Sequence, residues 1–147
     1  MKKIIGYIVS FTLIALAMED PLIFVNIPSV LIVFGLTFGG LLAGGRNIIQ
    51  FCSALFDKNA SPSQLHDAHE TAHEAGNYAI GSGFVGTLIG AILMLGSLTD
   101  PAAVGPSMAI AILTVLYAVL LKYFIFTPIG RGLDERADKI FAEKDVL

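Results

Sequence analysis

Three histidines and a glutamate in the middle of the chain are the residues whose spacing most resembles a catalytic site. The run His69-Glu70-Thr71-Ala72-His73 has the pattern H-E-x-x-H. On a helix, histidines four residues apart share a face and bind zinc, and the glutamate between them acts as the general base of a metalloprotease. His66 lies on the same face. In an oligomer, the histidines of all the subunits would form a ring around the axis, and that ring could sense pH or bind a metal.

The surroundings of this motif favour a solvated helix face over a zinc site. Polar and small residues flank it on both sides, whereas a catalytic helix is normally held between apolar neighbours. None of the later hydrophobic stretches contains an acidic residue that would supply a third ligand. A polar helix rich in His and Glu also makes chance matches easier. The sequence therefore predicts no cofactor and no enzyme activity, with zinc proteolysis kept only as an alternative.

The elements that carry these residues are predicted to be membrane helices. The chain is 55% hydrophobic and 14% charged, with a mean hydropathy of +0.77, whereas soluble domains carry about 25% charged residues. Three of four uncharged stretches reach the roughly 20 residues that cross a bilayer as a helix. The first stretch is shorter, and Lys2 and Lys3 can extend it by reaching to the interface. The sequence thus predicts an all-α membrane protein with four spans: Ile4–Met18, Pro21–Gly45, Tyr78–Thr99 and Pro101–Leu121.

The positions of the basic residues predict how the four spans are oriented. With four spans, all nine Lys and Arg residues fall on the side shared by both termini, and the loops near 19–28 and 98–105 contain none. Since positive residues mark the cytoplasmic side, we expect both termini and segment 46–77 inside a bacterial inner membrane. Nothing resembles a basic nucleic-acid-binding surface. In a second interpretation, Lys2-Lys3 and Ala15-Leu16-Ala17 belong to a cleavable secretory signal, which would leave three spans.

Local signals divide the chain further. Pro28 suits the first turn of helix two, and residues 47–56 are apolar enough to extend that helix into the cytoplasm. Ser61 or Ser63 is expected to cap a helix that runs from about Gln64 into span three. We therefore predict a membrane domain over residues 1–128, with cytoplasmic extensions of helices two and three. Residues 129–147 are predicted to form an amphipathic cytoplasmic helix whose apolar face contains Leu133, Ala137, Ile140 and Phe141.

Small residues in the spans indicate where helices approach closely. Span two carries glycines four residues apart at Gly35 and Gly39 and again at Gly40 and Gly44. In lipid, such pairs let helix backbones come together, either within one chain or between subunits. The predicted packing residues are Gly35, Gly39, Gly86 and Gly90.

The spans contain hydroxyl groups but no ionisable residue at mid-depth. A proton pathway generally needs an ionisable relay inside the membrane, so a pathway here would take its carboxylate from another chain. In the alternative, Thr87 and Thr114 bond to backbone carbonyls one turn back. The hydroxyls at depth are Ser82, Thr87, Ser107, Thr114 and Tyr117.

Several ordered matches resemble MotA-type flagellar stator subunits and, more widely, the ExbB and TolQ energy-transducing subunits. The run Gly83-Phe84-Val85-Gly86-Thr87-Leu88-Ile89-Gly90 resembles the family's third span and contains its G-x-x-G-T signature. The loop 99–109, the run 111–117 and Phe126-Thr127-Pro128-Ile129 resemble the following loop, the fourth span and its inner end. Residues 24–35 resemble the start of the second span. The resemblance covers most of residues 22–133.

The resemblance implies a homopentamer around single-span partners similar to MotB or ExbD, whose membrane Asp binds the ion. It implies that Thr87, Thr114 and Pro128 lie along the ion pathway, to which we add Ser82 and Tyr117 as hydroxyls at similar depth. Flow down an ion gradient would then turn one ring relative to the other. Val115 stands where the family often has a second threonine, which favours protons over sodium.

The central segment departs from the flagellar pattern. Flagellar stators carry a much longer cytoplasmic loop with charged residues that engage the rotor, and segment 46–77 leaves no room for them. Ile80-Gly81 also stands where the family usually has a proline. We therefore predict a MotA/ExbB-like subunit of an ion-driven motor or energy-transducing complex, with a non-conducting structural oligomer as the alternative.

Overall fold

A computed structural model describes residues 2–17, 20–57 and 60–144, and every regular element in those ranges is helical. This confirms the all-α prediction. The elements are α1 (Lys2–Ala17), a 3₁₀ turn (Pro21–Phe24), α2 (Ile27–Ala43), α3 (Ile48–Phe56), α4 (Pro62–Gly96), α5 (Pro101–Leu120), a π-helical turn (Leu121–Phe126) and α6 (Thr127–Lys144).

Polar side chains cap the starts of several helices. The Asn26 carboxamide oxygen accepts a hydrogen bond of 3.0 Å from the Ser29 amide, so α2 begins with Pro28 in its first turn. Ser61 caps α4 in a reciprocal arrangement in which the Gln64 amide donates to Ser61 Oγ and the Ser61 amide donates to Gln64 Oε1. Such caps satisfy amides that have no partner inside the helix. The predictions made for Pro28 and Ser61 are confirmed.

The chain bends sharply after α2. Gly45 has a φ of +73°, a left-handed conformation that suits glycine because it lacks a Cβ atom. The Asn47 side chain then accepts hydrogen bonds from the amides of Ile49 and Gln50, which starts α3 at an angle of 100° to α2. The expectation that residues 47–56 extend helix two is therefore wrong, because the glycines end α2 and Asn47 begins a new helix.

Two helices within the described ranges are long and apolar enough to cross a membrane, or three if α2 and α3 are one bent span. They are Pro62–Gly96 and Pro101–Ala142. At 1.5 Å per residue, α4 is about 52 Å long, well beyond the roughly 30 Å hydrocarbon core. The helix is therefore longer than one crossing requires, and the location of its polar first half outside the membrane stays a prediction. The number of spans and their orientation stay predictions.

The last helices run on without a break. The π-helical turn joins α5 to α6, so the helix continues from Pro101 to Lys144. On α6, Leu133 and Ala137 are buried against Ala54 of α3 and Leu65 of α4, while Phe141 is exposed. Part of the predicted apolar face of α6 therefore packs against α3 and the first half of α4. The boundary predicted at residue 128 falls inside this continuous helix.

Candidate functional site: the seam between α4 and α5

Glycines on α4 bring its backbone against α5. A Cβ atom on Gly86 would lie 2.5 Å from Thr114 Cγ2, and one on Gly90 would lie 2.5 Å from the Ala111 backbone nitrogen. Real Cβ atoms do not come this close to other heavy atoms, so only glycine fits at these positions. Gly83, which was not among the predicted packing residues, meets Ala118 in the same way. The spacing of 83, 86 and 90 places all three on one helix face.

This close approach places two threonine hydroxyls around one carbonyl. Thr87 Oγ1 lies 2.9 Å from the Gly83 carbonyl oxygen and 3.1 Å from that of Ala111. Thr114 Oγ1 lies 2.9 Å from the Ile110 carbonyl oxygen and also 3.1 Å from that of Ala111. Each hydroxyl therefore donates within the chain, as the alternative interpretation of these threonines predicted. Each oxygen keeps lone pairs that can accept a bond from water.

The two threonines differ in their access to the surroundings. Thr114 is fully buried, with 0% of its surface exposed, because Gly86 packs directly on it. Thr87 is half-buried and lies at the edge of the seam. Of the two, only Thr87 is open to a molecule next to this chain without a rearrangement.

The hydroxyls of Ser82 and Tyr117 lie against α2 or the residues just before it. Ser82 Oγ donates to the Ala79 carbonyl oxygen at 2.7 Å and lies 3.4 Å from the hydroxyl of Thr37, on α2. The Tyr117 hydroxyl donates to the Phe24 carbonyl oxygen and accepts a bond from the Asn26 amide. Those backbone groups lie just before α2, where the helix gives them no partner, and unpaired backbone groups are costly in lipid. Tyr117 thus fixes the start of α2 to α5.

Pro128 lies in the first turn of α6, directly after the π-helical turn. Proline has no amide proton, so it leaves a carbonyl one turn back without its usual partner. The π-helical turn accommodates this change, and the Thr127 hydroxyl donates to the Lys122 carbonyl oxygen at 2.8 Å. Pro128 therefore marks an irregularity in the long helix rather than a contact with the threonine pair.

The glycines of α2 divide into two sets. Gly40 and Gly44 face Tyr78 of α4, and a Cβ atom on Gly40 would lie 2.5 Å from its ring. A Cβ atom on Gly35 or Gly39 would meet no heavy atom within 4 Å, and both residues are exposed. The first set serves packing within the chain. The second set is left open at the surface of this chain, where a neighbouring subunit or lipid can approach.

An ion-pair cluster that sequence reasoning missed holds the bend after α2. Arg46 Nε and Nη2 bond to the Glu74 carboxylate at 2.9 and 2.6 Å, and Nη2 lies 3.2 Å from Glu70 Oε2. The Arg46 guanidinium lowers the pKa of Glu74, mainly through these hydrogen bonds, and Glu74 raises the pKa of Arg46. The sequence did contain a signal for this cluster. Glu70 and Glu74 are four residues apart, so they share one face of α4 and can both reach the nearby Arg46.

The histidines have separate partners. His69 Nδ1 lies 2.8 Å from the Gly130 carbonyl oxygen, so this nitrogen carries the proton. His66 Nε2 lies 3.6 Å from Glu70 Oε1, and His73 lies beside Asn77. Among residues 2–17, 20–57 and 60–144, no group of three or more His, Cys, Asp or Glu side chains is placed to hold a metal ion. A zinc site formed by His66, His69 and His73 is therefore not assembled within one chain.

Two long apolar helices packed through glycines, with hydroxyls in the seam between them, define a helical membrane protein. Residues 53–145 match the model of the MotA/TolQ/ExbB proton channel family, and the chain belongs to that family. This confirms the resemblance found in the sequence.

Named relatives agree with this assignment. The chain is 38% identical to Motility protein A of Cereibacter sphaeroides over 64% of this chain and 38% of that protein. It is 44% identical to chemotaxis protein PomA of Vibrio alginolyticus, over 44% of this chain and 25% of that protein. It is 45% identical to the uncharacterized protein YtxD of Bacillus subtilis, over 50% of this chain and 27% of that protein. The matched region thus spans well under half the length of each of these relatives.

Proposed function

We propose that this chain is the multi-pass subunit of an ion-driven membrane motor or energy-transducing complex in a bacterial inner membrane. The observation that carries the proposal is the α4–α5 seam, where Thr87 and Thr114 converge on the Ala111 carbonyl within the residues that match the family model. Preorganised hydroxyls of this kind can accept hydrogen bonds from water in an ion pathway. The half-buried Thr87 is the member of the pair that meets the pathway.

A single-span partner supplies the titrating group in this proposal. The predicted spans contain no Asp, Glu, Lys, Arg or His at mid-depth, and proton relays in membranes are built from such residues. A partner with one membrane Asp, similar to MotB or ExbD, would place its carboxylate next to Thr87. Five copies of this chain would surround the partner, with Gly35 and Gly39 open to a neighbouring copy. Val115, in place of a second threonine, favours protons over sodium.

Proton uptake into liposomes tests this division of labour. We expect uptake when the chain and its partner are reconstituted together under a membrane potential. The chain alone, and the chain with a partner whose membrane Asp is changed to Asn, are expected to give none. Equal uptake in all three preparations would contradict the proposal, because the leak would then not depend on the partner's carboxylate.

A non-conducting structural oligomer is the second candidate. It is favoured by the finding that Thr87 and Thr114 both donate to carbonyls of the chain itself, as threonines with a purely structural role do. This candidate predicts no uptake in any of the three preparations, even with a partner bound. The same experiment therefore distinguishes the two functions.

A further inference from the structure

A large apolar cavity of about 690 Å³ lies among α1, α2 and the junction of α5 with the π-helical turn. Apolar and aromatic side chains dominate its walls, and they include Ile8, Val30, Phe34, Leu120, Phe124 and Ile125. Its volume falls within the roughly 300–1,000 Å³ of sites that hold small molecules. The cavity is open to the surroundings, with Ile8 59% and Ile125 45% exposed, so we expect an apolar occupant that covers these side chains.

A second cavity, of about 420 Å³, adjoins the first. The two share Tyr7 and Phe124 as lining residues, and the second adds Ser10, Tyr123, Thr127 and Arg131. The walls therefore change from aliphatic side chains to aromatic rings, hydroxyls and one cation. Tyrosine in particular is enriched where a protein passes from the hydrocarbon to the headgroup region of a bilayer.

A third cavity, of about 240 Å³, adjoins the second, and Thr127 and Arg131 line both. Its other walls include His69, His73 and Lys122, and no Asp or Glu is among the described residues that line the second or third cavity. Lys122 Nζ donates to the Asn77 carboxamide oxygen at 3.0 Å, and the described part of the chain shows no ion pair for Lys122 or Arg131. This end of the cavity series is therefore cationic and lacks an anionic partner among the described residues.

We propose that these three cavities form one binding site for a phospholipid with an anionic headgroup. An acyl chain fills the apolar cavity beside α1, the ester region passes Tyr7 and Tyr123, and the phosphate meets Arg131 and Lys122. Arginine and lysine bind phosphate through charge-assisted hydrogen bonds. The order of the walls, from apolar through aromatic to cationic, matches a lipid that lies along the bundle with its headgroup at the basic end. The proposal is independent of ion conduction.

Native mass spectrometry of the full chain, extracted in mild detergent in its assembled state, tests the site. We expect phosphatidylglycerol to bind more tightly than phosphatidylcholine, and Arg131→Gln to weaken phosphatidylglycerol binding about tenfold or more. Lys139→Gln is the matched control, since it removes a charge from the same helix and Lys139 does not line the cavities. Arg131→Lys keeps the charge and is expected to retain most of the binding.

The apolar end is tested by Ile8→Trp, which fills the first cavity and is expected to reduce retention of both lipids. Unchanged oligomer size in size-exclusion chromatography shows that this variant folds. The proposal is wrong if Arg131→Gln binds phosphatidylglycerol as the Lys139→Gln control does. Thermal unfolding in detergent gives a second test. The proposal is overturned if inorganic phosphate raises the melting temperature of the protein as much as phosphatidylglycerol does. It is also overturned if a structure of the assembled protein shows a helix of a second copy in the apolar cavity.

Discussion

The two sides of α5 are packed in opposite ways. Toward α4, glycines at 83, 86 and 90 bring the backbones so close that no Cβ atom fits. Toward α1 and the start of α2, the structure leaves an apolar cavity of about 690 Å³. On the close side, the hydroxyls of Thr87 and Thr114 are both held at hydrogen-bond distance from the Ala111 carbonyl oxygen. Under the proposed function, the close side is the one on which conduction depends. The open side, toward α1, is the proposed site of the lipid.

Gly90→Ala is the change expected to break the close side most severely. The new Cβ atom would lie 2.5 Å from a backbone nitrogen of α5, and a backbone cannot move aside as a flexible side chain can. We expect a loss of about 3 kcal/mol in unfolding free energy, the upper end for overpacking, measured by denaturation in detergent.

Gly81→Ala is the matched control for that change. Gly81 lies on the same helix, and a Cβ atom there would meet nothing within 4 Å, so the helix propensity gained is the same in both variants. A loss of stability equal in Gly81→Ala and Gly90→Ala would show that the seam is not as close as the structure has it.

Arg46→Gln is expected to have a smaller effect than Gly90→Ala, because Arg46 lies away from both sides of α5 and joins the bend after α2 to α4 through Glu74. The pair is partly exposed, with relative side-chain exposures of 26% for Arg46 and 38% for Glu74, so we expect a loss of only about 1 kcal/mol at neutral pH. The folded-state pKa of Glu74 is lowered from 4.5, so its contribution is fully present above pH 4.5. It is lost as the pH falls through the lowered folded-state pKa.

The stability difference between the wild type and Arg46→Gln should therefore shrink in acid. Denaturation measured at pH 7 and at several values below pH 4.5 checks this. Arg46→Lys keeps the charge without the two-pronged geometry and should lose part of the stabilisation. A difference that stays constant into acid would mean that Arg46 acts through packing and not through Glu74.

The sequence predicted most of the helices because their signals are local. Asn26, Ser61 and Asp100 cap the helices that follow them, and each is followed within two residues by a proline in the first turn. Hydropathy located α5 and the end of α4 to within a few residues, and the start of α4 was predicted from its serine cap. The bend after α2 was missed because residues 47–56 are apolar, and hydropathy does not report the left-handed turn at Gly45.

The site was only partly predictable because side-chain direction depends on packing across the chain. The sequence placed Ser82, Thr87, Thr114 and Tyr117 together as hydroxyls at similar depth. In the structure, only the two threonines share a partner, while Ser82 faces Thr37 and Tyr117 faces the backbone before α2. Hydropathy reports how deep a hydroxyl lies in a span, but not which neighbouring helix it faces.

Proton uptake by a Thr87→Val variant, reconstituted with its partner, tests the central claim most directly. Valine keeps the shape of threonine and removes the hydroxyl that lies half-buried at the edge of the seam. Thr12→Val is the matched control, because Thr12 on α1 makes the same bond to a carbonyl four residues back. We predict that Thr87→Val reduces uptake about tenfold, which corresponds to about 1.4 kcal/mol, the scale of one hydrogen bond, while Thr12→Val leaves it unchanged. Equal uptake in the two variants would contradict the assignment of the α4–α5 seam as the ion pathway.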